Sequence, residues 1–250
     1  FGKKLRVGVY IDAFNLYYGA RENCGRGEPG WRWLNIEELT EKVAAQHWVN
    51  FKIQKLVYCT ALRDVNLNTS SIEDQETYIS ALKHSKKLNV EFGHYQPKNG
   101  RALLADKQKN RRKYWRVEVP ATEVIPPWLP VETSKGDSGG VNLNIHYETW
   151  EEKGSDVNVA SHLIIDALQG RIDAAIVISN DSDLKFPVRF VRNRIPVGVI
   201  NPNRGNTAWG LRGEQNDGIG RHWWSRLNPE LIKSSQFPES IGGVHRPKGW

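Results

Sequence analysis

The order of apolar runs in this chain predicts an α/β fold built on a parallel sheet. Three observations carry that prediction. Short β-branched runs alternate with stretches of helical periodicity. The runs are apolar almost throughout, as strands buried on both faces must be. Aspartates directly follow two of the runs, at the edge where the carboxyl ends of parallel strands gather.

Leu5 to Ile11 (LRVGVYI) is the first strand, ending in Asp12-Ala13-Phe14-Asn15 with Gly19 close behind. Arg21 to Gly30 is rich in glycine and charge and reads as a loop. Leu34, Leu39, Val43 and Ala44 mark a helix from about Asn35 to Trp48, with Asn35 as cap and Glu38 at the box position. Lys55 to Thr60 (KLVYCT) is the second strand. Ser70 or Ser71 caps a helix to about Lys87, with Ile72, Tyr78, Ile79 and Leu82 on its apolar face. Asn89 to Tyr95 (NVEFGHY) is the third strand. Strands and helices alternating at this spacing indicate βαβ units.

The alternation stops at Gln96. Residues from about 97 to 148 read as an insertion of hairpin or irregular strands, with the basic run Lys107 to Lys113, then Tyr114-Trp115, Pro126-Pro127 and the stretch Lys135 to Gly140. Alternation resumes at Glu151. Val157, Ala160, Leu163, Ile164, Ala167 and Leu168 form one helical stripe, which Gly170 ends. Ala174 to Ser179 (AAIVIS) is the most apolar strand. Asp183 to Arg194 is helical, and Pro187 requires that helix to begin nearby or to kink. Ile195 to Ile200 is the last strand. The resulting division is a domain over 1–200 containing the insertion, and an irregular Trp-, Gly- and Pro-rich extension over 201–250 packed on or beside it.

A chain of 250 residues with 39% apolar content suffices for one domain of ordinary size. No window of 18 apolar residues occurs, so no membrane association is expected. Cys24 and Cys59 form no C-x-x-C pair and read as reduced thiols of a cytoplasmic protein. A net charge of +7 favours polyanionic partners through counterion release. Basic and aromatic residues interleave at Arg111, Arg112, Tyr114 and Trp115, a pattern suited to stacking on unpaired bases. A charge run is equally a solvated face.

Three motifs carry chemistry: Asp12 with Asn15 after the first strand, Asp156 at a helix start, and Asp181 with Asp183 after the most apolar strand. Carboxylates converging on one sheet edge repel one another and stay ionised only around a cation. Oxygen-only ligands select Mg²⁺ or Mn²⁺ over zinc. Taken singly, each aspartate is equally a cap or turn residue. Asp166 lies ten residues past Asp156, about 15 Å along a helix, and falls outside any shared ion site. An Asp-x-Asp after the first strand, which an aspartyl-nucleophile phosphatase needs, is absent.

The motifs Val9-Tyr10-Ile11-Asp12-Ala13-Phe14-Asn15-Leu16, Lys153-Gly154-Ser155-Asp156-Val157 and Ile178-Ser179-Asn180-Asp181-Ser182-Asp183-Leu184 resemble, in order and spacing, those of NYN-domain nucleases, the LabA-type branch of the PIN-like superfamily. The resemblance covers roughly residues 5–95 and 150–200. Asn180 stands where the family more usually has glycine, and Leu184 where phenylalanine is frequent. The resemblance implies a PIN-like three-layer sandwich with a central, mainly parallel sheet and helices on both faces. It implies a metal-dependent endoribonuclease with Asp12, Asp156, Asp181 and Asp183 holding Mg²⁺ or Mn²⁺, and with Asn15 orienting a ligand or phosphate. Lys153 and Lys185, with Arg111, Arg112, Tyr114 and Trp115, become candidate substrate contacts. RNA, transfer RNA included, becomes the expected partner and a homodimer the expected assembly. The alternative is a catalytically silent RNA- or protein-binding module on the same scaffold.

Overall fold

The computed structural model describes residues 3–62, 69–106 and 115–250, except for the side chains of residues 69–71 and 115. The chain divides into two compact units, one formed by Phe1–Tyr95 with Glu152–Trp250 and the other by Gln96–Glu151.

The first unit is built on a six-stranded parallel sheet. Its strands are β1 (Leu5–Asp12), β2 (Phe51–Thr60), β3 (Leu88–Phe92), β4 (Ala174–Ile178), β5 (Val197–Asn201) and β6 (Trp223–Arg226). They lie in the order β3-β2-β1-β4-β5-β6, and every neighbouring pair is parallel. The direction of winding reverses between β1 and β4, which makes that junction the switch point of a doubly wound sheet. The helices are α1 (Ala13–Cys24), α2 (Ile36–Ala44), α3 (Thr69–Leu82), α4 (Ser155–Leu168) and α5 (Lys185–Arg192), with the short α6 (Trp209–Arg212) and α7 (Pro229–Lys233).

Side chains alternate along a strand, so β1 feeds two cores. Val7, Val9 and Ile11 pack with Leu16 of α1, Leu39 and Val43 of α2 and Ile79 of α3. Tyr10 belongs to the other core, with Val159 and Leu163 of α4 and Val188 and Val191 of α5. Sealing both faces explains why the strands carry unbroken apolar runs. Each fully buried aliphatic side chain contributes about 2 kcal/mol.

Caps fix the helix starts. Asn35 Oδ1 accepts from the Glu38 N–H, and its amide reaches Glu38 Oε2, as the box position predicts. Pro187 is the third residue of α5, in the first turn, where its missing N–H costs no intrahelical bond. Two segments depart from expectation. Arg21 to Cys24 is the last turn of α1 rather than loop. The tail is irregular over most of its length, as expected, but Trp223–Arg226 pairs with β5 and forms the sixth strand. Gly198 stands opposite Trp223, and a Cβ there would meet the indole at 2.2 Å, so this glycine makes room for the strand.

In the second unit, Glu118–Val119 and Val131–Lys135 each pair antiparallel with the strand Val141–Lys153, and Ala105–Asp106 pairs antiparallel with Trp115–Arg116. No helix among the described residues is long and apolar enough to cross a membrane.

Candidate functional site

Parallel strands place β1 and β4 side by side with their carboxyl ends together, and α1 and the turn Ser182–Leu184 start there. A hollow of about 370 Å³ opens at this point, lined by Asp12, Asn15, Asp156 and Asp181. Glu152, Ser155, Phe14, Tyr18 and Asn203 complete it. Three of the four aspartates singled out in the sequence therefore meet. Asp183 is exposed and lies outside the hollow. Glu152 was not anticipated, although the acidic pair ahead of Gly154 was visible.

The carboxylates face backbone and hydroxyl donors. Asp12 is 7% exposed. Its Oδ1 accepts from the Asn15 N–H at 3.0 Å, capping α1, and its Oδ2 accepts from Ser179 Oγ at 3.1 Å. Asp181 Oδ1 accepts from the Asp183 N–H, and Asp156 Oδ1 from the Val157 N–H. Asn15 Oδ1 accepts from the Asn180 N–H, tying α1 to the turn after β4. Burial pushes the Asp12 carboxyl up to about 6. Its two hydrogen bonds oppose the rise, and the nearby charges of Asp181 and Glu152 add to it.

The remaining predicted contacts do not gather at this hollow. Lys153 ends its strand and Lys185 opens α5; neither lines the hollow. The aliphatic stem of Lys185 covers Gly210. Arg192, in the last turn of α5, is 2% exposed and donates to the Leu211 and Arg212 carbonyls, which makes it a structural tie for α6. Arg111, Arg112 and Tyr114 lie outside the described residues, as does the side chain of Trp115.

Asp166 sits in different company. Its side chain is fully buried and accepts from Lys55 Nζ at 2.7 Å, Tyr10 Oη at 2.9 Å and Arg171 Nη1 at 3.1 Å. Burial pushes this carboxyl up, but the hydrogen bonds from Lys55, Arg171 and Tyr10 outweigh it and hold the group below its ordinary value.

A second cavity, of about 420 Å³, opens beside α1 and the end of β2. Phe14, Tyr17, Trp31, Tyr58, Tyr78 and Trp250 provide aromatic walls, and Arg32, Asp74 and Lys248 are its charged residues. One buried group here lacks an expected partner. Trp31 is 1% exposed and its Nε1 has no hydrogen-bond partner among the described residues. The Tyr58 hydroxyl makes no hydrogen bond among them; burial, reinforced by the Asp12 charge, holds it firmly protonated. By contrast, Tyr78 Oη donates to the Leu34 carbonyl. No single stretch of the sequence reveals this cavity, because its walls come from five separate segments.

No known family model matches the chain. The chain is similar to 6-hydroxy-3-succinoylpyridine 3-monooxygenase HspA of Pseudomonas putida. The two are 26% identical over 269 aligned positions, which span 98% of this chain and 75% of that protein. Among solved structures it is similar to a protein of unknown function from Vibrio parahaemolyticus, with 14% identity and a TM-score of 0.45, covering 91% of this chain and 96% of that one. A likeness at that level adds nothing to the fold described above.

These findings correct the nuclease expectation. A relative aligned along nearly the whole chain is named for an oxidation, so the metal-dependent endoribonuclease reading, with its hydrolase chemistry, is withdrawn. The Mg²⁺ or Mn²⁺ expectation also fails on geometry. Among the described residues no group of three or more His, Cys, Asp or Glu is arranged to hold a metal ion. Asp12 engages both oxygens with N–H and O–H donors, while Asp156 and Asp181 each engage one.

A monooxygenase name suggests a flavin instead. A doubly wound sheet receives the pyrophosphate of a dinucleotide at its switch point, on a glycine-rich turn and a helix N-terminus. Here β1 runs into Asp12-Ala13-Phe14-Asn15 with no Gly-x-Gly-x-x-Gly. The Asp12 carboxylate already caps the helix, and Glu152, Asp156 and Asp181 surround it. The residues at the switch point do not fit a bound dinucleotide.

Proposed function

We propose that this chain is an oxidoreductase that inserts oxygen into a small aromatic ring held in the aromatic cavity beside α1 and β2. The observation that carries this reading is the cavity itself. Its volume lies in the range of small-molecule sites, and its walls are flat rings with a few polar groups among them, the usual makeup of a specific pocket. The likeness to a protein named for monooxygenation of a hydroxypyridine supplies the reaction class.

In such a reaction one atom of dioxygen enters the ring. The other leaves as water, using two electrons and two protons from a reduced donor. Because the switch point does not suit a dinucleotide, the donor is assigned to the solution. The chain's own residues bind and orient the ring. Tyr17, Trp31 and Tyr78 offer faces and edges for aromatic packing. The protonated Tyr58 hydroxyl is placed to donate to a ring oxygen or nitrogen. Trp31 and Tyr58 are buried, and a ring that displaces water beside them strengthens that hydrogen bond. For the fold, the sheet order and the convergence of Asp12, Asp156 and Asp181 support placing this unit among PIN-like sandwiches, without the nuclease chemistry.

The test supplies purified protein with 6-hydroxy-3-succinoylpyridine, ¹⁸O₂ and either reduced nicotinamide or reduced flavin. One ¹⁸O atom is expected in the product, with turnover reduced in Tyr58→Phe. Unlabelled substrate recovered with both donors would end the proposal.

A further inference from the structure

We propose that the aromatic cavity selects rings bearing an anionic side chain, and that Lys248 is the residue that reads the anion. This rests on the preceding reading that the cavity receives an aromatic ring.

The backbone fixes where Lys248 sits. Pro247 to Trp250 form a turn closed by the Trp250 N–H donating to the Pro247 carbonyl at 3.3 Å. Gly249 occupies its third position with φ +83°, the left-handed region that a type II turn requires there. Lys248 takes the second position, so its side chain projects from the bend. Both flanks of the bend are fastened. The Gly249 carbonyl accepts from Arg32 Nη1 at 3.1 Å, and Trp250 Nε1 donates to Asp74 Oδ2 at 3.2 Å. The Trp250 ring also meets Trp33 and Tyr78 edge-on or tilted, with centroids 6.2 and 6.0 Å away. A tethered turn therefore holds Lys248 at the cavity.

The charges then decide its role. Among the residues lining the cavity, Lys248 and Arg32 are cationic and Asp74 is anionic. Arg32 is committed: it donates to the Gly249 and Arg26 carbonyls and lies over the Trp31 ring. Asp74 is engaged by Trp250. Lys248 is exposed and forms no ion pair or hydrogen bond among the described residues. The cavity thus presents an apolar, ring-lined interior and one uncommitted ammonium. A planar ring with a carboxylate on a short tail matches both, because the ring displaces water from the walls while the carboxylate gains a charge-assisted bond.

The test measures binding to the full chain by calorimetry and tryptophan fluorescence, using 6-hydroxy-3-succinoylpyridine and, as a tail-less probe, 2-hydroxypyridine. The acid is expected to bind about tenfold more tightly than the neutral ring, the gain of one charge-assisted contact. Lys248→Gln should remove that preference and leave the affinity for 2-hydroxypyridine unchanged, whereas Lys248→Arg should retain most of it. Equal binding of the two probes by the native protein, or a preference that survives Lys248→Gln, overturns the assignment to Lys248 while leaving the aromatic reading in place. Binding of neither probe overturns both.

Discussion

The two ends of α4 hold acidic residues in contrasting company. Near its start, Asp156 shares a hollow with Asp12, Asp181 and Glu152, and none of the residues lining that hollow is a cation. Near its end, Asp166 is met by Lys55, Arg171 and the Tyr10 hydroxyl. The helix dipole disfavours a negative charge at that end, and the two cations offset it. Asp12 and Asp166 are both withdrawn from water, yet burial wins at Asp12 and the partners win at Asp166. Burial alone does not set a carboxylate's charge; the balance of donors and cations around it does.

Removing Asp166 should have the largest effect. Asp166→Ala leaves the Tyr10 hydroxyl and Lys55 unmatched against the core, and the expected loss is about 3 kcal/mol in urea unfolding. A loss below 1 kcal/mol would show that the cluster is ornamental, and the contrast between the two ends would lose its meaning.

Asp12→Asn should act in the opposite direction. The folded carboxyl titrates near 6 against an ordinary 3.8, so the native state binds the extra proton between those values. Its favourable contribution is full below the ordinary value and is lost as pH rises through about 6. Asparagine caps a helix as well as aspartate does. The variant is expected to be more stable than the native chain by about 2 kcal/mol at pH 7 and equal to it near pH 4. Thermal melts across that range check the sign. Asp166 predicts the reverse slope: its contribution is full above the ordinary carboxyl value and is lost as pH falls through its depressed one.

Two smaller substitutions sharpen the contrast. Tyr10→Phe deletes one of three donors to Asp166 and should cost about 1 kcal/mol. Arg171→Ala removes a partner that is 56% exposed, and a loss of no more than about 0.5 kcal/mol is expected, shrinking further in high salt. If Arg171→Ala costs more than Tyr10→Phe, the cluster is governed by its exposed cation rather than by its buried hydroxyl.

The strands were legible where β-branched residues run together, as at Leu5–Asp12 and Ala174–Ile178, because being buried on both faces leaves no polar alternation to misread. The α2 cap was legible from Asn35 and Glu38. Helix α1 was not, because it buries small or polar residues such as Ala13, Gly19, Ala20 and Asn23 rather than a stripe of large aliphatics. β6 was hidden for a similar reason: Trp223-Trp224-Ser225-Arg226 lacks the β-branched signature and sits among glycines. The meeting of Asp12 and Asp181 followed from strand ends and that of Asp156 from a helix start, but their hydrogen bonds did not. The aromatic cavity could not be read at all, since Phe14, Trp31, Tyr58, Tyr78 and Trp250 come together only in three dimensions.

The sixth strand also bears on how this protein can be shortened. Ending the chain near residue 200, where the last strongly aliphatic run stops, would uncover the hydrogen-bonding edge of Val197–Asn201 and strip Trp223 from Trp48 and His47. A bare strand edge of this kind recruits neighbouring molecules. Such a fragment should accumulate in inclusion bodies, and a soluble expression vector should keep the codons through the C-terminal turn.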